Sequence, residues 1–241
     1  MYVEQIYTNC LAEAAYYVES EGEALIIDPI RETQPYIEKA NERGAKIKYV
    51  LETHFHADFV SGHVDLAKKT NSTIIYGPGA QTDYDIHVAY DGEEFELGNI
   101  KIKVLHTPGH TLESTTYLLI DENAKPYAIF TGDTLFIGDV GRPDLAIKSD
   151  LTEKDLAGML YDSLRQKIMT LPDDVIVYPA HGAGSACGKN MSKDFAPSFN
   201  FKCKINETWS RYLRRHDDVQ CSEIFGQGLR YIMGFHASGF C

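Results

Sequence analysis

Four short apolar runs in this chain each stop at a loop that at once presents a metal-type side chain. Ile47 to Leu51 runs into Thr53-His54-Phe55-His56-Ala57-Asp58, and Ile100 to Leu105 into His106-Thr107-Pro108-Gly109-His110. Tyr127 to Thr131 runs into Gly132-Asp133-Thr134, and Val175 to Tyr178 into Pro179-Ala180-His181-Gly182. Apolar runs of this length, bounded by Gly and Pro, read as buried strands. Their loops must gather at one edge of the sheets for the side chains to act together. Singly, His110 or His181 is more often a hydrogen-bonded loop histidine than a ligand. Four such events using only His and Asp point instead to a metal site. No cysteine stands at these positions, which favours nitrogen and oxygen donors over a structural thiolate zinc site.

The rest of the chain frames those loops. Residues 2 to 8 carry a weak strand alternation, and Ala14 to Glu19 and Glu23 to Asp28 form a hairpin around Glu21-Gly22. Thr33 with Pro35 starts a helix that Arg43-Gly44 stops, and Ser61 is placed to cap a second helix through Lys69. Thr73 to Tyr76 is a short strand, residues 80 to 92 read as irregular, and Gly98-Asn99 turns another hairpin. Leu156, Leu160, Leu164 and Ile168 recur every four residues after Thr152 and Asp155, a long helix with its start signal. Antiparallel pairs near both ends do not suit an all-parallel sheet. The expected fold is α/β, with two sheets face to face and helices outside, a four-layer αβ/βα sandwich.

Charge and composition narrow the partners. A net charge of −12 makes nucleic acid or an anionic membrane an unsuitable partner. No apolar run reaches the roughly 20 residues of a membrane span, and Met1 to Gln5 has no leader pattern. Cys10, Cys187, Cys203, Cys221 and Cys241 are odd in number, widely spaced and without a C-x-x-C. That fits reduced thiols and a cytoplasmic location.

THFHADFVSG, TPGHT, TGDTLF and PAHGAG, in this order, resemble the metallo-β-lactamase superfamily over roughly residues 1 to 200. The resemblance implies an αβ/βα sandwich with a metal site on one edge between the sheets. Binuclear hydrolases of that superfamily, glyoxalase II among them, use H-x-H-x-D-H, whereas here Phe59 follows Asp58. A phenyl ring cannot coordinate a second metal. With that departure, the SGH that follows, GRPDL at 141–145 and GAGSACGKN at 182–190, the chain is similar to the persulfide dioxygenases. The similarity is to the bacterial kind often joined to a rhodanese domain.

What this resemblance implies is specific. One Fe(II) per chain is held by His54, His110 and Asp133. The reaction takes a low-molecular-weight thiol persulfide, such as glutathione persulfide, with O2 to sulfite and free thiol, a step of hydrogen sulfide metabolism. Two histidines and one carboxylate leave open positions on Fe(II), as substrate and dioxygen together require. His56, Asp58 and His181 then stand behind the ligands as catalytic groups that orient, hold water or take protons. Arg142 and Lys189 are the candidate substrate-binding cations. Arg142 has the alternative of a salt bridge with Asp144, and Lys189 that of a plain surface residue. His63, His87 and His106 are expected to be structural.

The expected catalytic domain is 1–200, followed by a divergent tail at 201–241 with no rhodanese domain. A homo-oligomer and a functional link to a rhodanese are compatible with this reading. Two alternatives stay open: a glyoxalase II-like thiolester hydrolase, and a non-catalytic remnant of a longer fusion.

Overall fold

The computed structural model describes residues 1–144, 151–182, 185 and 196–197. The chain opens with β1 (Tyr2–Thr8), β2 (Glu13–Ser20) and β3 (Glu23–Ile27), an antiparallel meander. Helix α1 (Gln34–Arg43) crosses to β4 (Lys46–Leu51), and α2 (His63–Thr70) to β5 (Thr73–Tyr76). Both crossovers make parallel pairs, and β6 (His87–Val88) adds to β5, also parallel. The second sheet begins with β7 (Glu94–Leu97), β8 (Ile100–His106), β9 (Thr115–Ile120) and β10 (Pro126–Gly132), again a meander. Helix α3 (Glu153–Ser163) and a π turn (Leu164–Ile168) lead to β11 (Ile176–Pro179), parallel to β10, with β12 (Ala196–Pro197) at the edge. Spatial order follows chain order in each sheet, β1 to β6 in one and β7 to β12 in the other.

The layers follow from which faces are apolar. Tyr16, Leu25 and Leu51 of the first sheet pack against Ile102, Tyr117 and Phe130 of the second. Tyr17, Ile26 and Val50 on the outer face of the first sheet meet Tyr36, Ala40 and Leu66 of α1 and α2. Leu118, Ile129 and Val177 on the outer face of the second meet Leu160, Leu164 and Ile168. This is the expected four-layer sandwich. Strands covered on both faces read as continuous apolar runs rather than alternating ones. Among the described residues no helix is long and apolar enough to cross a membrane.

Three local expectations change. The N-cap position of α2 is Gly62, not Ser61; one residue earlier, Ser61 Oγ accepts from His63 N–H at 3.3 Å while its hydroxyl donates to Glu52 Oε1 at 2.8 Å. Residues 80–92 are not wholly irregular, since β6 pairs with β5 and Ala89 N–H donates to Tyr76 O at 2.9 Å. The third helix keeps its capping box at Thr152 and Asp155 but widens at Leu164, where Met169 N–H reaches back five residues to Leu164 O. The widened turn keeps both Leu164 and Ile168 buried. The tail at 201–241 and Lys189 lie outside the described residues.

Candidate metal centre

His54, His110 and Asp133 come together. One donor atom from each lies within 4.8 Å of the others, and all three residues are buried. Asp133 Oδ2 stands 3.4 Å from His110 Nε2 and 3.9 Å from His54 Nε2. The local chain makes this possible. Strand β10 has an irregularity at Phe130–Gly132, and Gly132 takes φ +51°. A side chain there would strike Thr53 Oγ1 at 2.5 Å, so the bare glycine lets the histidine loop press onto the end of β10.

Hydrogen bonds fix which nitrogen each ring turns inward. The single Thr53 hydroxyl proton goes to Asp28 Oδ2 at 2.8 Å, so Thr53 Oγ1 accepts from His54 Nδ1 at 3.0 Å. His110 Nδ1–H donates to the Arg142 carbonyl at 3.0 Å, and His181 Nδ1–H to the Ala12 carbonyl at 3.2 Å. In His54 and His110 Nε2 therefore keeps its lone pair, the tautomer a metal needs, and in His181 Nε2 is the nitrogen turned toward Asp58 and Asp133. Both Asp133 oxygens are buried without a hydrogen bond. A buried carboxylate so left costs several kcal/mol unless a cation meets it. The donor set fits a divalent ion such as iron. Burial first, and then the neighbouring His56, push the His54 imidazole well below its usual range, so it stays neutral as a ligand must.

Residues 8–181 match the sequence profile of the Metallo-beta-lactamase superfamily. The chain belongs to that superfamily. It is similar to the human mitochondrial persulfide dioxygenase ETHE1, 36% identical over 163 residues, covering 66% of this chain and 59% of that protein. It is also similar to the probable hydroxyacylglutathione hydrolase glo2 of Schizosaccharomyces pombe, 29% identical over 215 residues, covering 86% and 79%. Among solved structures, a Staphylococcus aureus metallo-beta-lactamase aligns with TM-score 0.75 and 38% identity over 84% of this chain and 62% of that one. ETHE1 from Myxococcus xanthus aligns with TM-score 0.68 and 28% identity, covering 84% and 82%. The chain thus spans about three fifths of the length of the human relative.

Further polar groups stand near the three residues. His181 Nε2 lies 3.1 Å from Asp58 Oδ2 and 3.5 Å from Asp133 Oδ1. Burial opposes a charge on His181, but Asp133 and then Asp58 outweigh it and raise its pKa to about 9. The His56 ring sits between those of His54 and Phe59, tilted by 56° and 38° to them, with centroids at 4.2 and 4.3 Å. Its Nε2 is 3.1 Å from Asp28 Oδ1 and 3.6 Å from Glu52 Oε2. The Arg142 guanidinium is ion-paired with Asp144, Nε to Oδ1 at 2.6 Å, and serves the site through its carbonyl. His63 and His106 are structural as expected, bonded to Tyr84 and to the Leu112 carbonyl.

Three acids escaped the sequence reading: Glu13, Asp28 and Glu52. All are 1% exposed or less. Burial and then Asp28 push the Glu52 carboxyl well above its usual range. Burial and then Asp28 also raise Glu13 to about 9, and neither Glu13 oxygen has a hydrogen-bond partner. The folded pKa lies above the unfolded one, so Glu13 holds its proton while the unfolded chain gives it up. Stability is therefore lost as pH rises from about 4.5 through about 9. Glu13→Gln removes that loss. In urea unfolding the variant is expected to match the parent near pH 4.5 and to exceed it at pH 7 by up to about 3 kcal/mol. Equal midpoints at both pH values would show that Glu13 is ionised in the fold.

Proposed function

We propose that the chain is a mononuclear non-haem iron persulfide dioxygenase. The observation that carries this reading is the buried triad of two imidazoles and one carboxylate, with both Asp133 oxygens free of hydrogen bonds and each Nε2 turned toward Asp133, in a chain similar to human and Myxococcus ETHE1. His54, His110 and Asp133 would hold one catalytic iron, which when bound supplies open positions for a persulfide sulfur and dioxygen. The net reaction turns a low-molecular-weight thiol persulfide, O2 and water into thiol, sulfite and protons. Glutathione persulfide is the default carrier, and the cytoplasm the default compartment.

The chain's own groups then have definite tasks. Thr53 and the Arg142 carbonyl fix the planes of His54 and His110. His181 Nε2 lies between Asp58 and Asp133, one step from the reacting centre and placed to take or give a proton there. The neighbouring His56 ring braces His54. Arg142, at the rim, is the candidate for a carrier carboxylate, in exchange for Asp144; Lys189 keeps the same candidacy from the sequence.

A glyoxalase II-like thiolester hydrolase is the second reading, supported by the fission-yeast relative and by Asp58 and His181 beside Asp133. Phe59 speaks against it, since its ring packs on His56 where that motif has a ligand.

An oxygen electrode separates the two. The iron-loaded protein is expected to consume O2 and form sulfite with glutathione persulfide, and to leave a lactoylglutathione thiolester intact. Thiolester cleavage without persulfide-dependent O2 uptake would overturn the proposal.

A further inference from the structure

We propose that Asp28, Glu52 and His56 form a second divalent-cation site, sharing no residue with the His54, His110 and Asp133 triad. One donor atom from each lies within 4.8 Å of the others. His56 Nε2 is 3.1 Å from Asp28 Oδ1 and 3.6 Å from Glu52 Oε2. Donors around an ion ligated at about 2.0–2.2 Å stand about 3–3.6 Å apart at tetrahedral or octahedral angles. The three side chains are each 1% exposed.

The unengaged atoms point the same way. Glu52 Oε2 and both His56 nitrogens are buried without a hydrogen bond, the same signature that marks Asp133 in the triad. Buried polar atoms are nearly always satisfied, so a convergent group of unsatisfied ones calls for a ligand. The carboxyl groups are already oriented. Asp28 Oδ1, the oxygen nearest His56, also accepts from Thr53 N–H at 2.7 Å, Asp28 Oδ2 accepts from Thr53 Oγ1 at 2.8 Å, and Glu52 Oε1 accepts from Ser61 Oγ at 2.8 Å. Such bonds hold ligating carboxylates in place.

The site has no buried lysine or arginine of its own among the described residues. The basic side chains beside its two carboxyl groups are His56, against Asp28 and Glu52, and His63, whose Nδ1 is 3.6 Å from Glu52 Oε1. Two carboxylates and one imidazole suit a borderline first-row ion such as Mn²⁺, Fe²⁺ or Zn²⁺. Asp28 is itself held in the left-handed region at φ +49°, a conformation the surroundings must enforce.

Manganese counting tests the proposal. The full chain, stripped by chelation and dialysed anaerobically against Mn²⁺, is expected to retain about two ions per chain. Glu52→Gln and Asp28→Asn should each retain about one, His110→Ala about one, and the His110→Ala/Glu52→Gln double variant none. A wild-type count of about one that His110→Ala abolishes would overturn the site and leave Asp28, Glu52 and His56 sharing only a proton. So would a second ion that survives Glu52→Gln but is lost in Asp58→Asn, since it would then sit beside His181. Should Glu52→Gln fail to fold, the wild-type and Asp28→Asn counts still decide. No count depends on the substrate, so this outcome is separate from that of the oxygen-uptake experiment.

Discussion

His110→Ala is expected to lose the iron of the triad, about one ion per chain, and persulfide-dependent oxygen uptake together. Three side chains make the triad, and two remaining ligands hold a labile Fe(II) poorly. Changing even a group behind a ligand costs about 10–100-fold in metal affinity, so losing the ligand itself should cost more than about 100-fold. The Nδ1–H···O bond to Arg142 disappears with the ring, so the 141–144 loop loses its tether to the site. The fold should survive, because His110 is not part of any of the four apolar clusters. Iron per chain by atomic emission, with O2 uptake on the same sample, reads the result. An iron-replete, active His110→Ala would remove His110 from the ligand set.

Gly109→Ala, one residue earlier, should be a strongly damaging small substitution near the site. Gly109 has φ +142°, and a Cβ there would lie 2.4–2.5 Å from Leu160 N, Cα and Cβ. Two of those atoms are helix backbone. Helix α3 cannot simply retreat, since Leu160 is fully buried and Ser163 Oγ donates to the Pro108 carbonyl at 2.8 Å. Overpacking against backbone, added to strain at positive φ, gives an expected loss of about 3 kcal/mol or more. For a chain of this size that is a Tm lower by about 6–12 °C. His110 shifts with its neighbour, so iron occupancy should fall as well. Gly158→Ala in the same helix is the control, with nothing within 4 Å of its Cβ and an expected gain of about 0.5–1 kcal/mol. Equal Tm values for the two variants would refute the close-approach argument.

The sandwich and the gathering of His54, His110, Asp133 and His181 were legible because strand, breaker and ligand occur consecutively in the sequence. The same rule applied to acids alone would have found Asp28 at the end of β3 and Glu52 at the end of β4. They were passed over because Asp-Pro reads as a turn and Glu52 as the last residue of a strand. Glu13 left no such signal. It stands in a strand buried on both faces, where alternation carries no phase. Ser61 misled by one position: its oxygen does accept from His63 N–H, but the helix starts after Gly62, and only the fold reveals that the Ser61 proton goes to Glu52. The π turn follows from packing of Leu164 and Ile168, which spacing by fours describes equally well as unbroken helix.

Each sheet is built from strands in chain order, so the first half of the molecule, through Val88, can pair its strands without the second, which starts at Glu94. The proposed iron ligands do not respect that division: His54 comes from the first half, His110 and Asp133 from the second. An ion there is a cross-link between two separately wound bodies. Its binding free energy adds to the stability of the seam rather than to either half, by an amount that grows with the logarithm of free metal. Metal scarcity in the cell would then weaken the joint first, at the edge where His54 meets Asp133, while each sheet stays hydrogen-bonded and the apolar face where Tyr16 meets Phe130 still holds the halves together.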